Sequence, residues 1–272
     1  MRSPYLYVIQ ILMFLLADTA LADQERNPFS FWYLSDQDPG WYFDATVGVQ
    51  REPTYTGSDR YETEAGVIAR AFYKSESGNR YFVSLGEIGA VVEIDPDTIV
   101  AAVLEYEETR EIDEDPILAE FPEGENTLEG QFTFVRRWGN WRLGGVFQPD
   151  LLDRGKGLVY FLGAGYDRAL SDRLRFDAGL DLSWGDAEHI NTEVGISDDV
   201  AQASGLSPYT ASGGFKSTTL TLGLGYAFNP QWELVFNGEV EIYASEMADS
   251  PLIEDEGDDV NTEFSIGVRY QF

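Results

Sequence analysis

From Trp41 to Phe272 the chain alternates. Runs of about ten residues carry large apolar side chains at every second position, with small or polar ones between them, and turn residues separate the runs. Residues 41–51 open the series, and 61–73, 80–94, 98–108, 128–137 and 141–148 follow. In the second half the pattern sharpens over 158–168, 173–186, 220–228, 232–242 and 264–272. In 173–186, Leu174, Phe176, Ala178, Leu180, Leu182 and Trp184 share one face, opposite Arg173, Arg175, Asp177, Gly179, Asp181 and Ser183. The last run sets Phe264, Ile266, Val268, Tyr270 and Phe272 against Ser265, Gly267, Arg269 and Gln271. One side of each strand meets oil and the other meets water.

Two architectures alternate in this way, a soluble sandwich and a membrane barrel. A sandwich turns its polar face to solvent and crowds it with long charged side chains, whereas the polar face here is rich in Gly, Ser and Thr with scattered opposite charges, which suits the inside of a cylinder. Trp141, Trp184, Trp232, Phe228 and Tyr270 fall near run ends, where aromatic girdles mark the two membrane interfaces. The expected fold is therefore all-β, a transmembrane antiparallel up-and-down barrel over 41–272, closed because an open sheet edge has no partner in lipid. Short links at 138–140, 170–172 and 229–231 are expected on the periplasmic side, and the long segments 109–127, 187–216 and 246–259 outside. The eleven runs must become an even number. Ten or twelve strands are expected, by breaking 80–94 in two, by adding 28–34, or by placing one run in the lumen.

The first residues bear on location. Arg2, an apolar stretch over 5–17 and Ala20-Leu21-Ala22 before Asp23 fit a cleaved signal peptide over 1–22, leaving 23–40 as a periplasmic segment ahead of the barrel. The 17 Phe, 15 Tyr, 6 Trp and 27 Gly fit many strands and tight turns, and with no Cys neither disulfides nor a lipidated amino terminus are available. A net charge of −30 argues against nucleic acid as a partner.

Nothing in the pattern assembles a catalytic site, and no enzyme activity or cofactor is expected. His189 is the only histidine and reads as a surface residue of the long loop. Ten Asp or Glu over 105–125 are offset by Arg110 alone, and seven over 246–259 by no base, without the spacing of a dedicated calcium loop. In the bore, Arg173, Arg175 and Arg269 are expected to face Asp177, Asp181, Glu239 and Glu241, neutralising one another or filtering solutes.

The segment 194–217, VGISDDVAQASGLSPYTASGGFKS, resembles the loop hallmark of the MltA-interacting protein (MipA/OmpV) family, through Gly195, Gln202, Ser204-Gly205-Leu206, Tyr209, Gly213-Gly214 and Lys216. The tail, 248–272, and the stretch PTYTGSDRYE, 53–62, are similar to the same family. Departures are Ser212, where glycine is more usual, and the acidity of 109–127. The resemblance implies an outer-membrane protein of a Gram-negative bacterium, set in lipid and lipopolysaccharide and handled by the barrel assembly machinery, which reads a last strand ending in an aromatic such as Phe272. It also implies a scaffold joining a murein transglycosylase to a murein synthase or, in other members, a porin-like or adhesive protein. Within the loop, Ser197 followed by 198–204 and Gly205 reads as a capped helical turn, with Tyr209 anchoring the loop over the barrel mouth.

Overall fold

The computed structural model describes residues 38–107, 115–122 and 124–272. The expected signal peptide, the run 28–34 and all but the end of 23–40 lie outside them, as does part of the acidic segment 109–127. Twelve described strands close into one antiparallel barrel, each paired with its chain neighbours, and the last with the first. They are β1 (Gly40–Pro53), β2 (Tyr61–Lys74), β3 (Arg80–Val83), β4 (Glu87–Asp95), β5 (Thr98–Glu107), β6 (Thr127–Trp138), β7 (Trp141–Pro149), β8 (Leu158–Ala169), β9 (Leu174–Gly185), β10 (Gly214–Ala227), β11 (Trp232–Tyr243) and β12 (Val260–Gln271). No described helix is long and apolar enough to cross a membrane.

The run 80–94 is the one that breaks. Ser84-Leu85-Gly86 reverse the chain, with the Ser84 amide donating to the Glu87 carbonyl at 3.0 Å and Gly86 at φ 89°, a left-handed conformation in which a side chain would clash. Because β3 is so short it reaches only residues 71–74 of β2, and among the described residues 61–70 pair with β1 alone.

The two faces of the wall sort as the alternation requires. Outward positions are large and apolar, among them Phe132, Phe134, Leu162, Leu222 and Ile266, and each is exposed for lipid to cover. Rings cluster in two belts. Trp41 with Tyr73, Trp141 with Tyr166 and Trp232 with Tyr270 lie 4.7–5.2 Å apart near the end with the short turns, and Tyr160, Trp184 and Phe215 lie 5.4–5.5 Å apart near the other. The chain starts β1 and finishes β12 at the short-turn end.

Candidate functional site

The mouth opposite the short turns is covered by long loops that pack on one another. After β9, Asp186 caps helix α1 (Ala187–Val194) by accepting from the His189 amide at 2.8 Å. Helix α2 (Asp198–Ser204) follows, capped by Ser197 and ended by Gly205 in the left-handed region at φ 85°. The loop after β11 adds two single turns, α3 (Ser245–Ala248) and α4 (Pro251–Glu254), the second capped by Ser250, whose buried hydroxyl donates to the Val194 carbonyl at 2.7 Å. Tyr55, Leu118, Phe121, Ile196, Val200, Ala201 and Leu252 from four loops make one apolar cluster, and Ile190, Val194, Ala211, Tyr243, Met247 and Ile253 make another. At the lid's edge, Arg60 grips Asp115 with two hydrogen bonds of 2.6 Å, and Tyr55, whose hydroxyl donates to the Glu256 carbonyl at 3.0 Å, has its pKa pushed up to about 12, mainly by burial.

Within this lid the residues of the 194–217 motif hold the loops in place. Gly195 ends α1 where a Cβ would lie 2.4 Å from the Asn191 carbonyl oxygen. Ser204 donates to the Val200 carbonyl at 2.8 Å, Gly205 supplies the cap, and Leu206 packs against the first apolar cluster. Tyr209 bridges Ile196 and donates its hydroxyl to the Glu246 carbonyl at 3.0 Å. Gly213 sits at φ 76° against the Ala187 amide, Gly214 opens β10, and Lys216 reaches His189. Gln202 is exposed on α2.

His189 is half-buried instead of lying on the surface as its sequence context suggests. Its Nδ1 lies 2.9 Å from the Lys156 carbonyl and its Nε2 lies 3.4 Å from Lys216 Nζ, and burial together with Lys216 lowers its pKa to about 4. Glu193, one helical turn further on, accepts from Thr56 at 2.5 Å. Burial opposes its ionisation, yet Lys216, His189 and Lys156 hold its carboxyl well below the usual carboxylate range. Sequence spacing does not join Thr56, Lys156, Glu193 and Lys216, because they come from different loops and strands.

Below the lid the bore has two unlike walls. On β7 to β12 glycines let long side chains lie flat: a Cβ at Gly165 would strike Arg142, at Gly163 Asp181, at Gly223 Asp177 and at Gly225 Glu233. Glu233 accepts from Arg175 and Arg269 together, and Arg142 pairs with Asp167 at 3.2 Å. The expected set of lumen charges is thereby corrected in two ways. Arg173 lies exposed in the turn before β9, because that strand starts one residue later. Glu239 and Glu241 stand further up β11, opposite Glu263 and Asn261 of β12, and the acid that meets Arg175 and Arg269 is Glu233. On β2 to β6 the inward side chains Phe72, Phe82, Val91, Ile99, Ala101, Val103 and Val135 form an apolar patch, which the alternation in the first half does not reveal.

Phe264, Ile266, Val268, Tyr270 and Phe272 all face outward, and the Phe272 amide donates to the Phe43 carbonyl at 3.0 Å where β12 meets β1. No group of three or more acids or histidines disposed for a metal occurs among the described residues.

No curated protein matches the sequence. Among solved structures, an outer membrane channel from Pseudomonas putida F1 is similar at 10% identity over 88% of this chain and 97% of that one, with a TM-score of 0.50. Pseudomonas putida OprB, at 6% identity over 94% and 100%, and Vibrio cholerae OmpT, at 10% over 85% and 97%, have TM-scores of 0.44 and 0.37. The first of these likenesses shows the fold. The family described as MltA-interacting protein MipA matches residues 45–272, most of the chain. A closed barrel with a lipid-facing surface and this family match place the protein in the outer membrane, and it belongs to the MltA-interacting protein MipA family.

Proposed function

We propose that this barrel performs no chemistry of its own and serves as an outer-membrane holding point for a murein transglycosylase, which it brings to a murein synthase through its periplasmic turns. The family match over 45–272 carries this reading, because the family is named for interaction with such an enzyme. The lid adds support: a mouth closed by two apolar clusters and capped helices suits an anchor better than a wide pore. The periplasmic face offers the turns 75–79, 96–97, 139–140, 170–173 and 228–231, with Arg168, Asp172, Arg173 and Asn229 as polar handles. Pull-down from a detergent extract should recover a murein transglycosylase, and replacing the 170–173 and 228–231 turns with Gly-Ser should reduce the yield. Recovery of no murein enzyme would refute the proposal.

A second reading, a small-solute channel preferring cations, draws on the bore. Its outer half is lined by Glu52, Glu105, Glu129, Glu239, Glu241 and Glu263 against Lys156 and Lys216, a field that attracts cations. In planar bilayers under a KCl gradient this reading requires steady current and a cation-selective reversal potential. Silence favours the anchor.

A further inference from the structure

Three glycines lie side by side on the inner face of the barrel, where β2, β1 and β12 meet. Gly66 is the register partner of Gly48, and Gly48 of Gly267, while their neighbours Val47, Val67 and Ile266 face outward. A row without side chains leaves bare backbone that a molecule can approach closely. The row is tight at Gly267, where a Cβ would come within 3.1 Å of the Thr46 methyl and the Val47 carbonyl oxygen, and half-open at Gly48. Along its rim, one step nearer the lid, run Gln50, Ser265 and Asn237, again partners in register. They are 1%, 2% and 7% exposed, yet Gln50 Oε1, Ser265 Oγ and Asn237 Nδ2 meet no partner among the described residues. The Gln50 amide is held in place from its other end, where Nε2 donates to Glu52 Oε2 at 2.7 Å. Buried polar atoms left idle in a row call for an occupant.

We propose that this recess binds a small organic amine, with the ammonium at the Gln50 and Ser265 rim and the carbon chain on the glycines. Charge sets the sign of the ligand. One further step toward the lid, Glu52 faces Glu62 and Glu239 faces Glu263, cross-strand pairs whose Cβ atoms lie about 4.5–5.5 Å apart. From the glycine row to the lid, the only basic side chain on β1, β2, β11 and β12 is Arg51, which points outward with its guanidinium 4.2 Å from the Tyr61 ring centroid. Such a field draws cations. The idle atoms set the type of cation. An amide oxygen and a hydroxyl accept N–H, and the Asn237 amide can turn its oxygen to the same group. A bare metal ion fits less well, since no three acids or histidines are disposed for one among the described residues. Binding of this kind requires neither conduction nor a murein enzyme, and so goes beyond both readings above.

Isothermal titration calorimetry of the full chain, folded in detergent, tests this with putrescine as the probe. Binding should saturate and be about tenfold or more tighter than that of tetramethylammonium, which carries the charge without an N–H donor, and than that of magnesium chloride. Gln50→Met removes the idle acceptor at similar volume and should weaken putrescine about tenfold. Gly48→Leu fills the recess and should abolish binding, and Ser265→Ala supplies a second rim variant if that barrel does not close. Asp198→Asn, which removes one exposed acid on α2, should bind as the parent does. Heat-modifiable migration establishes that each barrel is closed. An absence of saturable heat, equal affinity for putrescine and tetramethylammonium or magnesium, or unchanged binding in Gln50→Met and Ser265→Ala would each overturn the proposal. A barrel that stays silent in planar bilayers, or recovers no murein enzyme, would leave it standing.

Discussion

Glu233→Ala is the sharpest perturbation of the bore. The carboxylate is held by Arg269 through Nε, at 3.1 Å, and Nη2, and by Arg175 through Nη2, tying β9, β11 and β12 together. The two arginines differ in burial: the Arg269 side chain is 4% exposed and that of Arg175 is 48% exposed, while Glu233 is at 10%. Removing the acid leaves Arg269 a buried cation without its counter-ion, a loss of about 3–5 kcal/mol in a dry interior, brought down to about 2–4 by the water of a bore. Arg175→Ala removes a half-exposed partner and should cost about 1 kcal/mol or less. Replacing Glu233 and Arg269 together by Met should recover much of the loss, because the penalty comes from the orphaned charge. Urea titration of the lipid-reconstituted barrel, followed by heat-modifiable migration, reads all three. A loss below about 1 kcal/mol for Glu233→Ala, or equal losses for Glu233→Ala and Arg175→Ala, would refute the assignment of a buried charge triad to the wall.

Three other outcomes are expected. With a folded pKa of about 4 against an unfolded value near 6.5, His189 binds its proton first in the unfolded chain, so stability should fall as pH drops from about 6.5 to 4. His189→Gln should flatten that window in pH-dependent unfolding, leaving the further loss at lower pH that follows from the depressed carboxyl of Glu193. Gly213→Ala places a side chain at φ 76° and 2.6 Å from the Ala187 amide; it should cost about 1–3 kcal/mol and quicken proteolysis of the lid while the barrel stays closed. Deleting Phe272, which is 75% exposed, should change unfolding free energy in vitro by less than about 1 kcal/mol but sharply lower the amount of folded barrel in cell membranes, as measured on unheated gels.

The barrel itself was legible because lipid enforces a period of two on every spanning strand, and the clean second-half runs such as 220–228 reproduce it residue by residue. The cap of α2 was legible as well, since Ser197 and Gly205 act through neighbouring backbone. What the pattern hid was non-local. The break at Gly86 lies inside a continuous apolar run, where the outward positions slip from Tyr81 and Val83 to Ile88, Val92 and Ile94, a change of parity that counting runs alone overlooks, so twelve strands were not separated from ten. Glu233 and Arg269 meet through strand register, and Thr56, Lys156, His189, Glu193 and Lys216 meet through loop packing, so neither grouping leaves a spacing to read.

The bore is asymmetric because its two walls solve different problems. Where β7 to β12 face it, glycines opposite charged side chains keep the polar groups flat against the sheet, so solvation and pairing are met without filling the lumen. Where β2 to β6 face it, the inward side chains are apolar and pack on one another as a single buried cluster, so that stretch of wall gains from burial of apolar surface instead of from charge pairing. The lid is built apart from that patch, because its clusters pack on one another and Tyr55, Leu118 and Leu252 turn to the loops. The apolar patch and the lid are therefore separate clusters, and a variant that loosens one should leave the other intact.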